Sequence, residues 1–229
     1  PAKDGGLGFG LKWDMGWMNE TLSYIKKDPV YRKYHHYLMT HPTEYVFDEH
    51  YILVLSHDEV VYGKGSMYTK MPGNNMDKLG GLKCFYTMMM GHPGKKLLFM
   101  GQDFAQINEW YYKVSLDWHL CDDPGHRDVM DCYRALLHLY KERPVLHNDT
   151  SWQSFEWIET GVVQRSIFSF IRRNPWNYND GLIFVCNMTP VQYESYGVGA
   201  PVDGKYKRIF SSYPGDDTLE VEAEKALCN

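Results

Sequence analysis

Two short apolar runs, Tyr51–Leu55 and Leu97–Met100, constrain this chain most, because each is bounded by polar or turn residues and is too short for a helix. Unbroken runs of this kind are strands buried on both faces, the kind found in parallel sheets under helices. The segments around them have helical periodicity. From Asp14 to about Lys27, Met15, Trp17, Met18, Leu22 and Ile25 recur at helical spacing, and Asp28-Pro29 ends the run. A second, short helix is expected over Val30–Met39. Residues 76–90 read as a helix closed by Gly91-His92-Pro93-Gly94, and 128–142 as an amphipathic helix stopped by Pro144. Beyond about residue 148 the texture changes. Ser154–Ile158, Val162–Arg172, Leu182–Asn187 and Tyr206–Phe210 read as strands between Gly, Asn, Pro and Asp clusters. The expected fold class is therefore α/β plus all-β: the end of an α/β barrel over 1–148, then a small antiparallel β-sandwich over 149–229.

Composition excludes several functions. The net charge of −5 offers no basic footprint for nucleic acid or an anionic membrane. No apolar run approaches the ~20 residues of a membrane span. The five cysteines are scattered without a CxxC pair, so neither a disulfide framework nor a zinc site is indicated, and a reducing cytoplasm is expected. Aromatic residues reach 15%, which suits sugar faces but fills cores first. The start at Pro1, without an initiator Met or signal-like segment, suggests a beginning inside a longer protein.

Ser56-His57-Asp58 invites a serine-triad reading, which fails if three adjacent strand residues alternate faces. What the position offers instead is location. His57 and Asp58 follow the C-terminal end of a buried strand, where an α/β barrel carries its active site. A loop-capping Asp beside a core His fits the local pattern as well. The segment 101–110 follows the second strand, so its Gln, Asp, Asn and Glu residues and Trp110 either meet sugar hydroxyls and a ring face or are ordinary loop groups. His35, His36, His41 and His50 lack metal-ligand spacing and read as solvated or core residues, so no metal site is expected. The glycines at 5–10 are not a phosphate loop, since no Gly-Lys-Ser/Thr follows.

Several longer motifs carry a resemblance. Gly5-Gly-Leu-Gly-Phe, Lys12–Asn19, Asp28–His36, Leu55–Val60, Gly94–Gln106 and Ser115–Leu120 stand in the order found in bacterial-type 1,4-α-glucan branching enzymes. The chain resembles that family densely over about 4–145 and loosely to about 210. The resemblance implies a (β/α)₈ barrel of the α-amylase superfamily. The strands ending at Trp13 and spanning 51–55 and 96–100 would be its last three. It implies an enzyme of glycogen biosynthesis, a glycosyltransferase that cleaves α-1,4 links and forms α-1,6 branches in glycogen or amylose, with no cofactor. Asp58 becomes the third catalytic carboxylate, stabilising the transition state, and His57 its sugar-binding neighbour, with Trp110 a further candidate contact.

A retaining mechanism also needs a nucleophile and an acid/base with carboxyl groups about 5 Å apart. The family carries these on strands four and five, which precede Pro1, so the chain alone is expected to be inactive. Neither Asp14 nor Glu109 has the context to replace them. Gln102-Asp103 departs from the family's Asn-Glu, and Leu219–Asn229 ends before the expected apolar closing strand. The expected partners are α-1,4-glucan and either the missing N-terminal part or a second copy at the open barrel edges. A non-catalytic glucan-binding module is the alternative, as is a trehalose-releasing hydrolase of the same superfamily. The Lys12–Asn19 block argues against the latter.

Overall fold

The computed structural model describes residues 4–213 and 220–223. Three short strands, β1 (Lys12–Asp14), β2 (Tyr51–Leu55) and β3 (Lys95–Leu98), form a parallel sheet in that order. Trp13 pairs with Ile52 and Leu53 with Lys96. Parallel neighbours require long crossovers, and helices supply them. Helix α1 (Met15–Ile25) follows β1, α2 (Asn75–Gly91) joins β2 to β3, and α3 (Pro124–Glu142) follows β3. Each start is capped by a side chain. Asp14 accepts the Trp17 N–H, Asn74 accepts that of Asp77, and Asp123 accepts those of Gly125 and His126. Among the described residues no helix is long and apolar enough to cross a membrane.

The helix expected over 30–39 is a string of short turns, Pro29–Arg32, Lys33–His35 and Tyr37–Thr40. Its β-branched, aromatic and His residues are weak helix formers, and Arg32 is held by tertiary acceptors, the Lys27, Ile25 and Met188 carbonyls. The strand expected at 97–100 lies two residues earlier, because Lys95 and Lys96 take ladder positions. Their ammonium groups are tied down there, Lys95 to Asp149 at 2.8 Å and Lys96 to the His92 and Gly94 carbonyls.

The remainder is β-rich, as expected. Strands β4 (Phe155–Glu159), β5 (Ile167–Asn174) and β6 (Asn177–Asn187) form an antiparallel sheet. A separate antiparallel pair joins β7 (Gly204–Lys207) to β8 (Glu220–Ala223). Val163–Arg165 is a 3-10 turn instead of strand, with Ser166 left-handed at φ 49°. β6 starts five residues before the expected Leu182, because the Asn174–Asn177 hairpin carries pairing further. Apart from β8, the Leu219–Asn229 tail lies outside the described residues.

The two sheets share one core. Phe168 meets Tyr24 edge-on at 5.8 Å and stacks on His36 at 4.0 Å. Phe170 and Phe184 stack at 4.9 Å over the end of α2. They can do so because Gly91 is there: a Cβ at that position would stand 2.7 Å from Phe170. Buried Arg172 on β5 donates to the Gly91, Asn148 and Ser154 carbonyls and to Asp149. Arg32 crosses the same seam the other way, to Met188.

Two buried histidines make this seam acid-sensitive. Among the described residues neither ring nitrogen of His36 has a hydrogen-bond partner, and burial pushes its pKa down to about 4. Among the described residues His92 has one hydrogen-bond partner, the Pro93 carbonyl, and burial pushes its pKa down to about 3. The unfolded chain protonates both near pH 6.5, whereas the folded chain keeps them neutral. Their stability contribution is present above that pH and lost as pH falls toward the folded values. Each should remove about 2 kcal/mol between pH 7 and 5. Asp14, whose pKa is raised mainly by burial, works in the opposite direction. Urea unfolding of wild type and His36→Phe should show a shallower pH dependence in the variant. Identical slopes would remove His36 from this account.

Candidate functional site

The C-terminal ends of the three parallel strands gather the residues singled out by sequence. β1 ends at Asp14, but its carboxylate is buried as the α1 cap and also accepts from the Tyr45 hydroxyl at 3.2 Å. That is a structural role. β2 ends at Leu55 and turns at once into a 3-10 helix, His57–Val60. The turn has a local cause: Ser56 and Glu59 form a capping box. Buried Glu59 accepts the Ser56 N–H at 2.6 Å and its hydroxyl at 2.7 Å, while Ser56 Oγ accepts the Asp58 N–H at 3.2 Å.

That box disposes of the serine relay for a different reason from the one expected. The residues are not alternating along a strand; the Ser56 hydroxyl is committed to Glu59. The first turn instead projects His57 and Asp58 outward, with their side chains 48% and 57% exposed. His57 Nε2 lies 3.3 Å from Asp58 Oδ1. Among the described residues this is the only polar partner the Asp58 carboxylate has. At a strand exit with little fold demand on it, the group is available to meet a ligand.

The loop after β3 completes the surround. Phe99 continues the ladder, donating its N–H to Leu55 O at 2.9 Å. Its ring lies 5.8 Å from His57 and 5.1 Å from Trp110, the latter edge-on. The Trp110 ring meets His57 edge-on at 6.2 Å, and the Trp110 backbone N–H donates to Val60 O at 2.9 Å. The structure thus brings His57, Asp58 and Trp110 together, with Phe99 as a third ring that sequence reading passed over. The loop's other polar groups act on the fold. Gln102 Oε1 accepts the Met67 N–H, Gln106 spans Asn108 and Asp117, and Asp103 accepts from Gly101.

Three further residues shape the site without having been singled out by sequence. Lys64 Nζ donates to Asp58 O at 2.8 Å, Lys70 holds backbone carbonyls of the turn, and Glu59 caps it. Of these only Glu59 had a readable signal, the Ser-x-x-Glu spacing. His41 pairs with Glu20 at 2.7 Å and His35 lies against Tyr37. Among the described residues no group of His, Cys, Asp and Glu is arranged to hold a metal.

A family model described as alpha amylase, C-terminal all-beta domain, matches residues 157–226. The chain is 50% identical to a 1,4-alpha-glucan branching enzyme GlgB of Roseobacter denitrificans over 90% of its own length and 28% of that protein's. It is 46% identical to the Aquifex aeolicus enzyme of that name, over 93% of this chain and 34% of the relative. It is 45% identical to that of Butyrivibrio fibrisolvens, over 100% and 37%. These relatives bear out the resemblance read from the sequence. The chain spans about a third of their length. Among solved structures it is similar to a pullulanase from Bacillus acidopullulyticus, with TM-score 0.67 at 14% identity, covering 95% of this chain and 29% of that one. That likeness concerns the fold alone.

Proposed function

We propose, from a chain that matches 1,4-α-glucan branching enzymes over nearly all of its own length and about a third of theirs, that it supplies one wall of a branching active site. On this reading residues 1–148 are the closing part of a (β/α)₈ barrel and 149–229 a β-sandwich. The parallel order β1-β2-β3, with α1 and α2 as crossovers, supports the barrel, and the antiparallel β4-β5-β6 sheet supports the second unit. Strands β1 and β3 each pair on one side only among the described residues, which leaves edges for further strands. Met100, Trp118 and Leu137 are exposed beyond β3, where a neighbouring strand and helix would cover them. The free cysteines Cys84, Cys121, Cys132 and Cys186 suit the reducing cytoplasm proposed for it.

The observation that carries the proposal is the exposed Asp58 carboxylate at a parallel strand's exit, beside His57 and Trp110. The substrate is an α-1,4-glucan. Asp58 accepts hydrogen bonds from hydroxyls of the sugar at the cleavage position and favours its distorted, positively charged transition state. His57 donates to the same ring and Trp110 offers an aromatic wall. The nucleophile and the acid/base come from strands this chain does not include, so the chain alone does not turn over. Purified chain incubated with amylose should form no α-1,6 links, scored by linkage analysis and iodine staining. It should also self-associate in light scattering. Branching by the chain alone contradicts the division of labour, and a clean monomer in light scattering contradicts the open edges.

A further inference from the structure

We propose that Glu109 and Lys70 are positioning residues that hold the Asp58 turn and Trp110 in one fixed arrangement. This rests on the reading of Asp58 given above. The turn after Val60 is hard to hold by its own backbone. Tyr62, Gly63 and Gly65 have φ of 55°, 79° and 74°, and a non-glycine residue in that region is unfavourable. Tyr62 is 93% exposed, so no burial of its own side chain offsets that cost. The turn is instead held by two charges of opposite sign from outside it.

Lys70, buried at 6% exposure, donates to the carbonyls of Glu59, Lys64 and Gly65. Glu109 gathers the complementary groups, its two carboxylate oxygens accepting the Gly63 and Gly65 N–H groups. Charge-assisted bonds of this kind are about twice as strong as neutral ones. One consequence reaches each side of the site. Lys64, held by its carbonyl, directs its ammonium to Asp58 O at 2.8 Å. Trp110 follows Glu109 directly and is bonded to Val60 O, so the Glu109 clamp also fixes the aromatic wall. Neither Lys70 nor Glu109 is placed to react; each acts through the backbone it holds.

The electrostatics agree. The Gly63 and Gly65 amides hold the Glu109 carboxyl below the usual range, and burial brings Lys70 down to about 8. The charged groups acting on Lys70 are Glu59 and Glu109, which favour its cation, and Lys26 and Lys64, which oppose it. The cationic clamp is therefore present below about pH 8 and lost above it. An arginine at that position would stay charged.

The test uses a full-length branching enzyme carrying this segment, with amylose as substrate. Glu109→Gln, Lys70→Arg and Lys70→Met should be compared with Asp58→Asn. A misplacement of about 1 Å at a reacting centre costs roughly 10²-fold. Glu109→Gln should therefore lower kcat about 10–100-fold with KM within about twofold and an unchanged melting temperature. Lys70→Arg should retain kcat at pH 7 and move the alkaline limb of the kcat profile upward. Wild-type kcat in Glu109→Gln together with a dead Asp58→Asn overturns the positioning role alone. Loss of kcat only in step with melting temperature, without a shifted limb in Lys70→Arg, also overturns it by making the clamp merely structural. An active Asp58→Asn removes the parent reading and this proposal with it.

Discussion

Arg172→Ala should leave the chain without a cooperative fold at 25 °C. The guanidinium is completely buried and reaches four acceptors: Ser154 O at 3.2 Å, Gly91 O at 3.0 Å, Asn148 O at 2.7 Å and Asp149 Oδ1 at 3.3 Å. Truncation strands the Gly91 and Ser154 carbonyls, at about 1–3 kcal/mol for each buried group left unpaired, while Asn148 O keeps the Ser154 hydroxyl at 2.8 Å. It also removes one partner of a buried ion pair, a change that costs about 3–5 kcal/mol. Lys95 still holds Asp149 at 2.8 Å, so the carboxylate keeps a partner and the lower end of that range applies. The total, about 5 kcal/mol or more, is comparable with the net stability of an ordinary domain, about 5–15 kcal/mol. Lys at this position should not rescue, since one ammonium cannot replace a planar fork aimed at four oxygens. Circular dichroism with urea titration measures this directly. A sigmoidal transition with a midpoint near wild type would mean that the seam between the two sheets does not depend on Arg172.

The fold was legible where local rules and tertiary demands agree. Tyr51–Leu55 has both edges where the apolar run placed them, because its apolar side chains and polar flanks mark them locally. Helix α2 follows its periodicity from the Asn74 cap, whereas α3 ends at Glu142 as expected but starts at Pro124, four residues before the expected Asp128, because Asp123 caps it there. Legibility stopped where a residue's role is decided by a group far away in the chain. Lys95 and Lys96 look wrong for a strand until Asp149 and the His92 and Gly94 carbonyls are seen to hold them. The break after Arg32 depends in part on Met188, and the clamp of Glu109 on Gly63 and Gly65. Of the candidate site, the position of His57 and Asp58 followed from the strand alone. The meeting with Trp110 and Phe99 did not, because it needs the Phe99–Leu55 and Trp110–Val60 backbone bonds.

Asp58→Asn in a full-length branching enzyme should abolish most turnover and leave the fold intact. The side chain is 57% exposed, and His57 is its only polar partner among the described residues. Exposed substitutions of this kind change stability by no more than about 0.5 kcal/mol. A preorganised group facing a developing charge is worth about 10²–10³ in rate, or roughly 3–4 kcal/mol. Asn keeps the shape and loses the charge, so binding of the uncharged glucan should persist while the charged transition state loses its support. The decisive measurement is the initial rate of α-1,6 link formation on amylose by wild type and Asp58→Asn, with maltoheptaose affinity determined on the same preparations. A rate reduced at least about 10²-fold at similar affinity is the expected result; branching at the wild-type rate would contradict the role assigned to Asp58.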